Sequence, residues 1–179
     1  MAKKVLIISA SLRKGGNSDT LADSFLQGAT DGGNAVEKIN LYGKTINFCK
    51  GCLACQKIKK CVIADDAKDI IEKMKTVDVI VFATPIYYYE MAGQMKTLLD
   101  RTNPLYGTDY AFRDIYLLST AADDAEGTDA RAITGLEGWI ECFPKARLAG
   151  TVFAGGVTSV GEIKGHSALN KAYEMGKSV

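Results

Sequence analysis

The sequence predicts a doubly wound α/β domain, an open parallel sheet with helices on both faces. Its long apolar runs, Lys4–Ser9, Val77–Ala83 and Ile115–Ser119, lack the alternation of half-exposed strands and read as strands covered on both sides. Segments with helical apolar spacing separate the runs, so strand and helix alternate five times along the chain. The 179 residues are one domain's length, and 47% hydrophobic with 24% charged residues suffices for a layered core without disulfides.

Lys4–Ser9 (KVLIIS) is the first strand. Asn17 or Ser18 then caps a helix carrying Leu21, Ala22, Phe25 and Leu26 on one face, stopped by Gly32 and Gly33. Ala35–Leu41 is a mixed second strand. Asp65 and Asp66 open a helix with Ala67, Ile70, Ile71 and Met74 on one face and acids at its positive end. The third strand, Val77–Ala83, is expected to end at Pro85, which cannot donate to a ladder. A helix at Gly93–Arg101 buries Met95, Leu98 and Leu99. Ile115–Ser119 is followed by a helix at Thr128–Phe143, and Leu148–Ala154 by a last helix from about Gly161. Five strands in this rhythm match the flavodoxin-like order 2-1-3-4-5, and ligands in such sheets sit at the carboxyl ends of the strands. Residues 1–179 form a single domain, with a cysteine-rich insertion at about 43–64 on the same rim.

Lys+Arg 22 against Asp+Glu 21 leaves a net charge of +1, which gives no support for a nucleic-acid or anionic-membrane partner. The basic start, Met1-Ala2-Lys3-Lys4, precedes too short an apolar run for a signal peptide, and no stretch reaches the roughly 18–20 residues of a membrane span. A cytoplasmic protein is expected.

Two loops carry the chemistry. The first, Ser9 to Ser18, joins a buried strand to a helix N-terminus, where unpaired N–H groups and the dipole favour an anion. Hydroxyls at Ser11 and Ser18, the Asn17 amide and Gly15-Gly16 suit a phosphate monoester, with Arg13 for a charged contact. It is neither a dinucleotide fingerprint nor a Walker A loop. The alternative is an ordinary capped turn. The second loop, Thr84 to Gln94, offers Ile86 and three tyrosines, flat amphipathic surfaces that either flank a planar heterocycle or pack a subunit contact.

Together, Ser-x-Ser-x-Arg-x-x-Gly-Asn-Ser and Thr-Pro-Ile-Tyr-Tyr…Gly-Gln-x-Lys…Asp-Arg closely resemble the NAD(P)H-dependent FMN reductase family, over nearly the whole chain through to Gly156–Ile163. The resemblance implies FMN as cofactor and NAD(P)H as cosubstrate. It assigns Ser11, Arg13, Asn17 and Ser18 to the phosphate, and Pro85, Ile86, Tyr87 and Tyr88 to the ring, with Thr120, Ala121 and Ala122 completing the site. It also implies a homodimer meeting through Tyr87–Met91 and Cys49–Cys61. The family's usual Gly-Ser-Pro-Arg is here Ala10-Ser11-Leu12-Arg13, which loosens the turn but keeps its polar groups.

Four of five cysteines, Cys49, Cys52, Cys55 and Cys61, lie in the insertion with C-x2-C-x2-C-x5-C spacing. The spacing resembles the compact motif of iron-sulfur flavoproteins, and four thiolates meet the needs of a 4Fe–4S cluster. Lys50, Lys57, Lys59 and Lys60 would lower thiol pKa values and offset its charge. Metal-free thiols shaping the flavin pocket, tetrahedral zinc and a redox disulfide are the other readings. Cys142 is expected in the core, His166 on the surface of the last helix, and Asp123, Asp124 and Glu126 in a solvated loop.

No catalytic side chain is expected, because the flavin carries the chemistry. The leading reading is an FMN oxidoreductase moving electrons from NAD(P)H to a quinone, a free flavin or a protein acceptor. A noncatalytic flavodoxin-type or iron-sulfur flavoprotein carrier is the alternative, although flavodoxin-type carriers are typically strongly acidic. A receiver-type signalling domain lacks its acidic residues at Ser9-Ala10-Ser11 and its phosphoacceptor at Thr84-Pro85. A structural zinc protein is the remaining nonenzymatic reading.

Overall fold

The computed structural model describes every residue, 1–179. Five parallel strands, β1 (Lys4–Ser9), β2 (Ala35–Asn40), β3 (Val79–Tyr87), β5 (Asp114–Thr120) and β6 (Arg147–Ala154), pair in the order β2-β1-β3-β5-β6. That is the predicted order, 2-1-3-4-5 in the numbering of the parallel strands alone. The sixth strand, β4 (Glu90–Met91), has two residues and pairs antiparallel with the end of β3.

Buried strands show why their apolar runs do not alternate. Leu6 and Ile8 of β1 enter one core, Val5 and Ile7 the other. Helices α1 (Asn17–Asp31) and α6 (Ser167–Lys177) cover the second core through Leu21, Phe25, Ala168 and Ala172. Helices α3 (Ala67–Thr76), α4 (Gly93–Arg101) and α5 (Ala130–Ile140) cover the first through Ile70, Met74, Leu98 and Leu136. A five-residue helix, α2 (Ala54–Ile58), lies in the cysteine insertion between Leu53 and Lys59, both at positive φ.

Pro85 does not end β3. The strand continues to Tyr87, and Pro85 pairs in register with Thr120 of β5. The Ala83 carbonyl faces β1, accepting from Ala10 N–H at 2.8 Å. Two residues on, Pro85 points its missing N–H the same way, where the β1–β3 ladder has already stopped at Ser9–Ala83. The extension turns through Tyr88 and Tyr89, both at positive φ (51° and 66°), into β4. Two left-handed central residues are the signature of a type I′ hairpin, rarely built from tyrosines.

Two other expectations are corrected. Asn17 and Ser18 lie inside α1; Gly16 is its cap and no side chain caps it. Cys142 is exposed, because α5 ends at Ile140 and the turn beyond it points outward. His166 precedes α6 as its cap, its Nδ1 accepting from Ala168 N–H at 3.0 Å. Asp123, Asp124 and Glu126 are exposed, as expected.

Candidate functional site

The first loop is braced from within and from across the rim. Ser11 Oγ donates to the Arg13 carbonyl at 2.9 Å and accepts from Arg13 N–H at 3.3 Å. Gly16 sits against it: a Cβ there would lie 2.4 Å from Ser11 Oγ. The Arg13 guanidinium donates to the Thr158 carbonyl (2.8 Å) and the Asn17 amide to the Ser159 carbonyl (2.9 Å). Glu162 receives the N–H groups of Thr158 and Ser159 at 2.6 and 2.8 Å, and those bonds hold its carboxyl below its ordinary pKa.

This bracing leaves the N–H groups of Asn17, Ser18 and Asp19 without a protein acceptor at the start of α1. Three converging donors on a helix dipole form an anion cradle. The one acid among them, Asp19, is buried and compensated by Lys38 Nζ and the Asn40 amide, each at 2.9 Å. Burial works against the Lys38 charge, but its bonds to Asp23 and Asp19 prevail and raise its pKa. The cradle therefore stays receptive to a phosphate. A further buried hydroxyl without a partner, Ser9 Oγ, lies at the end of β1.

Ser11, Arg13 and Asn17, predicted as phosphate ligands, thus spend their side-chain groups on the loop itself and its neighbour after β6, while Ser18 Oγ makes no bond within the chain. The rest of the predicted set lies on the adjoining strand ends. Pro85 and Ile86 are in β3; Tyr87 is half exposed and Tyr88, at the hairpin tip, is 98% exposed. Thr84 Oγ1 accepts from Ala92 N–H at 2.9 Å, tying β3 to the start of α4. Thr120 ends β5, with Ala121 and Ala122 following. That loop is held by Ser119 Oγ donating to buried Asp129 at 2.6 Å. It also packs on the loop after β6, where a Cβ on Gly155 would come within 2.5 Å of Asp124 Cα. Tyr89 bridges the hairpin to this loop, its hydroxyl 3.4 Å from Asp123 and the Arg131 guanidinium 5.7 Å from its ring centre. A cavity of about 660 Å³ opens between the first loop (Leu12), the residues after β2 (Tyr42, Phe48) and the start of α4 (Gly93, Gln94).

Sequence reasoning assigned no role to Thr158, Ser159, Glu162 and Asp129. The Gly-Glu-Ile at Gly161–Ile163 was the only signal for the first three.

The cysteines gather elsewhere. Cys49, Cys52, Cys55 and Cys61 all line one small cavity, about 20 Å³, together with Arg101, Asn103 and Pro104. Arg101 lies eight residues beyond Gly93, about 12 Å along α4 from its rim end. The cysteines therefore stand off from the rim cavity, which only the preceding residues 42–48 of the insertion line. All five cysteines carry free thiols, so the chain holds no disulfide. Burial pushes the Cys55 thiol up in pKa, and the nearby Cys61, Cys49 and Cys52 add to the effect. Arg101 is 1% exposed, and its Nη2 donates to Cys61 Sγ at 3.3 Å.

Free N–H groups at the helix start after the first strand of a flavodoxin-like sheet are the arrangement of an anion-binding α/β domain. A profile of the NADPH-dependent FMN reductases matches residues 3–134, and the chain belongs to that family. It is 39% identical over 102 residues to an iron-sulfur flavoprotein of Methanocaldococcus jannaschii, covering 57% of this chain and 53% of that protein. An iron-sulfur flavoprotein of Methanosarcina thermophila is 28% identical over 156 residues, 87% of this chain and 82% of its own. The chain spans about half the length of some curated relatives it matches, 53% and 47% for two of them. Among solved structures, the NAD(P)H:quinone oxidoreductase from Methanothermobacter marburgensis superposes with a TM-score of 0.78 at 17% identity, over 99% of this chain and 96% of that one. This last likeness shows the fold. No helix is long and apolar enough to cross a membrane.

Proposed function

We propose that the protein is an FMN-dependent oxidoreductase that takes electrons from NAD(P)H and passes them to a small acceptor such as a quinone. The observation that carries this reading is the anion cradle of Asn17, Ser18 and Asp19 N–H groups. It fits a terminal phosphate monoester, and so FMN rather than FAD. Bound FMN would supply hydride acceptance and onward electron transfer. The chain's own residues bind and orient. The cradle anchors the phosphate, with Ser18 Oγ available beside it. Pro85, Ile86 and Tyr87 form the strand end along which a ring would lie, and Thr120, Ala121 and Ala122 the adjoining strand end beside it. The cavity beside Leu12 and Gly93 has the size of a small-molecule site and room for a flat acceptor. The exposed tyrosine hairpin suits a second copy of the chain, making a homodimer the expected assembly.

A second reading, an iron-sulfur flavoprotein electron carrier, is favoured by four thiols around one cavity. No three His, Cys, Asp or Glu side chains are placed to hold a metal ion in this arrangement, so zinc and a cluster alike would require the loop to rearrange. A 4Fe–4S core needs a wider ring of thiolates. The buried guanidinium of Arg101, whose Nε has no partner, offers counter-charge and a donor. The cavity as it stands has room for about one water, so a cluster enters only if the exposed Cys49–Cys52 stretch moves outward.

Steady-state turnover separates the two readings. With NADPH or NADH varied at several quinone concentrations, the oxidoreductase gives parallel double-reciprocal lines, because one flavin face serves donor and acceptor in turn. Intersecting lines would contradict that shared face, and no oxidation of either nicotinamide would leave the carrier.

A further inference from the structure

Arg101 is the least expected side chain in the molecule: a guanidinium at the end of α4, fully enclosed, in contact with half-buried Cys61 of the cysteine loop. Burying such a charge is costly unless every partner is in place. Its partners all lie in the insertion or directly at its foot. Nη1 donates to the Asn47 carbonyl and to Asp65 Oδ2, both at 2.7 Å. Nη2 donates to Asp65 Oδ1 at 3.0 Å, and to the Ile63 carbonyl and Cys61 Sγ at 3.3 Å. Asn47 precedes the first cysteine of the loop and Ile63 and Asp65 follow the last, so one planar fork holds both feet of the loop and one of its sulfurs.

We propose that Arg101 is the positioning residue of the four-cysteine ring: it closes the loop on the end of α4 and fixes Cys61 as the anchored ligand. This rests on the cluster reading above. A lysine would keep the charge but could not span Asn47, Asp65 and Cys61 together, because only the guanidinium presents donors in a fixed plane. An N–H···S bond and a positive charge at one ligand sulfur favour the more reduced, more negative state of a cluster, so Arg101 also raises its potential.

The test uses the full-length protein, with Arg101→Lys, Arg101→Gln and Asp65→Asn. FMN content reports that each variant is folded, since the cradle lies at the start of α1, on the opposite face of the sheet from α4. In the metal-free form, alkylation of Cys61 is measured by peptide mapping relative to exposed Cys142, which lies outside the loop. With the thiols ionised at alkaline pH, so that the rate reads access to the sulfur, loss of the charge-assisted bond is expected to raise the Cys61 rate about tenfold in Arg101→Lys. After anaerobic reconstitution with iron and sulfide, Arg101→Lys is expected to lower the cluster's midpoint potential by a comparable factor, about 59 mV for one electron. Arg101→Gln is expected to lose iron. If that variant fails to fold, Asp65→Asn, which loosens the fork and keeps the guanidinium, is read the same way and falls between wild type and lysine. A Cys61 rate and a midpoint both unchanged in Arg101→Lys would overturn the proposal. A wild type that takes up no iron overturns the cluster reading instead, and the alkylation rates then decide whether Arg101 holds the loop.

Discussion

Replacing Gly16 with alanine probes the anion cradle directly. The new Cβ would stand 2.4 Å from Ser11 Oγ and 3.1 Å from the Arg13 carbonyl, against 3.4 Å or more in ordinary contact. Ser11 cannot rotate away without giving up its bonds to Arg13 at 2.9 and 3.3 Å. The loop must therefore shift by about 1 Å or lose both bonds, at about 1 kcal/mol each. Because the loop leads into the N–H groups of Asn17 and Ser18, most of that cost falls on the bound state, and about 2 kcal/mol corresponds to roughly 30-fold weaker FMN. Fluorescence titration of FMN into wild type, Gly16→Ala, Ser11→Ala and the double variant forms a cycle. The alanine at 16 is expected to cost less once the Ser11 hydroxyl is gone, since the tighter contact has been removed. FMN affinity within twofold of wild type in Gly16→Ala, or strictly additive effects, would refute the reasoning.

The Tyr88-Tyr89 turn holds two side-chain-bearing residues at positive φ. Substituting Asn-Gly should stabilise the fold by about 1–2 kcal/mol, raising Tm by about 2–4 °C per kcal/mol, while slowing acceptor turnover; a lower Tm would show that the turn is not strained. Gly176 of α6 lies so close to α1 that a Cβ would meet the Phe25 carbonyl at 2.2 Å. Gly176→Ala should cost about 1–3 kcal/mol, beyond the roughly 1 kcal/mol that alanine adds to a helix, and an unchanged or higher Tm in calorimetry would contradict the packing. Burial alone would raise the Asp65 pKa, but the Arg101 and Asn47 hydrogen bonds outweigh it and hold it at about 2. A carboxyl lowered on folding contributes stability that is complete above its unfolded pKa near 3.9 and fades as pH falls towards 2. Urea unfolding should therefore lose about 2 kcal/mol between about pH 5 and pH 2, and that loss should vanish in Asp65→Asn.

The parallel sheet was legible because apolar runs such as Leu6–Ile8 and Val79–Phe82 reflect burial on both faces, which leaves little freedom in composition. The hairpin was not, since Pro85 reads as a strand breaker until it is known that β1 has ended beside it. The first loop was singled out, but its side chains were assigned by chemical type. Ser11, Arg13 and Asn17 bond to atoms on their own loop and on Thr158 and Ser159, partners as many as 145 positions away in sequence. What remains for the anion, apart from Ser18 Oγ, is backbone N–H, which carries no residue identity. Arg101 was visible only as half of an Asp-Arg pair, because its partners lie 36 to 54 residues upstream.

Anaerobic titration of the FMN-loaded protein with NADPH and then NADH, followed by visible absorbance, tests the central claim most directly. The account predicts about one FMN per chain, bleaching of both flavin bands by one equivalent of at least one nicotinamide, and their return on adding a quinone. A protein that retains no FMN, or whose FMN stays oxidised in excess NADPH and NADH, would contradict it.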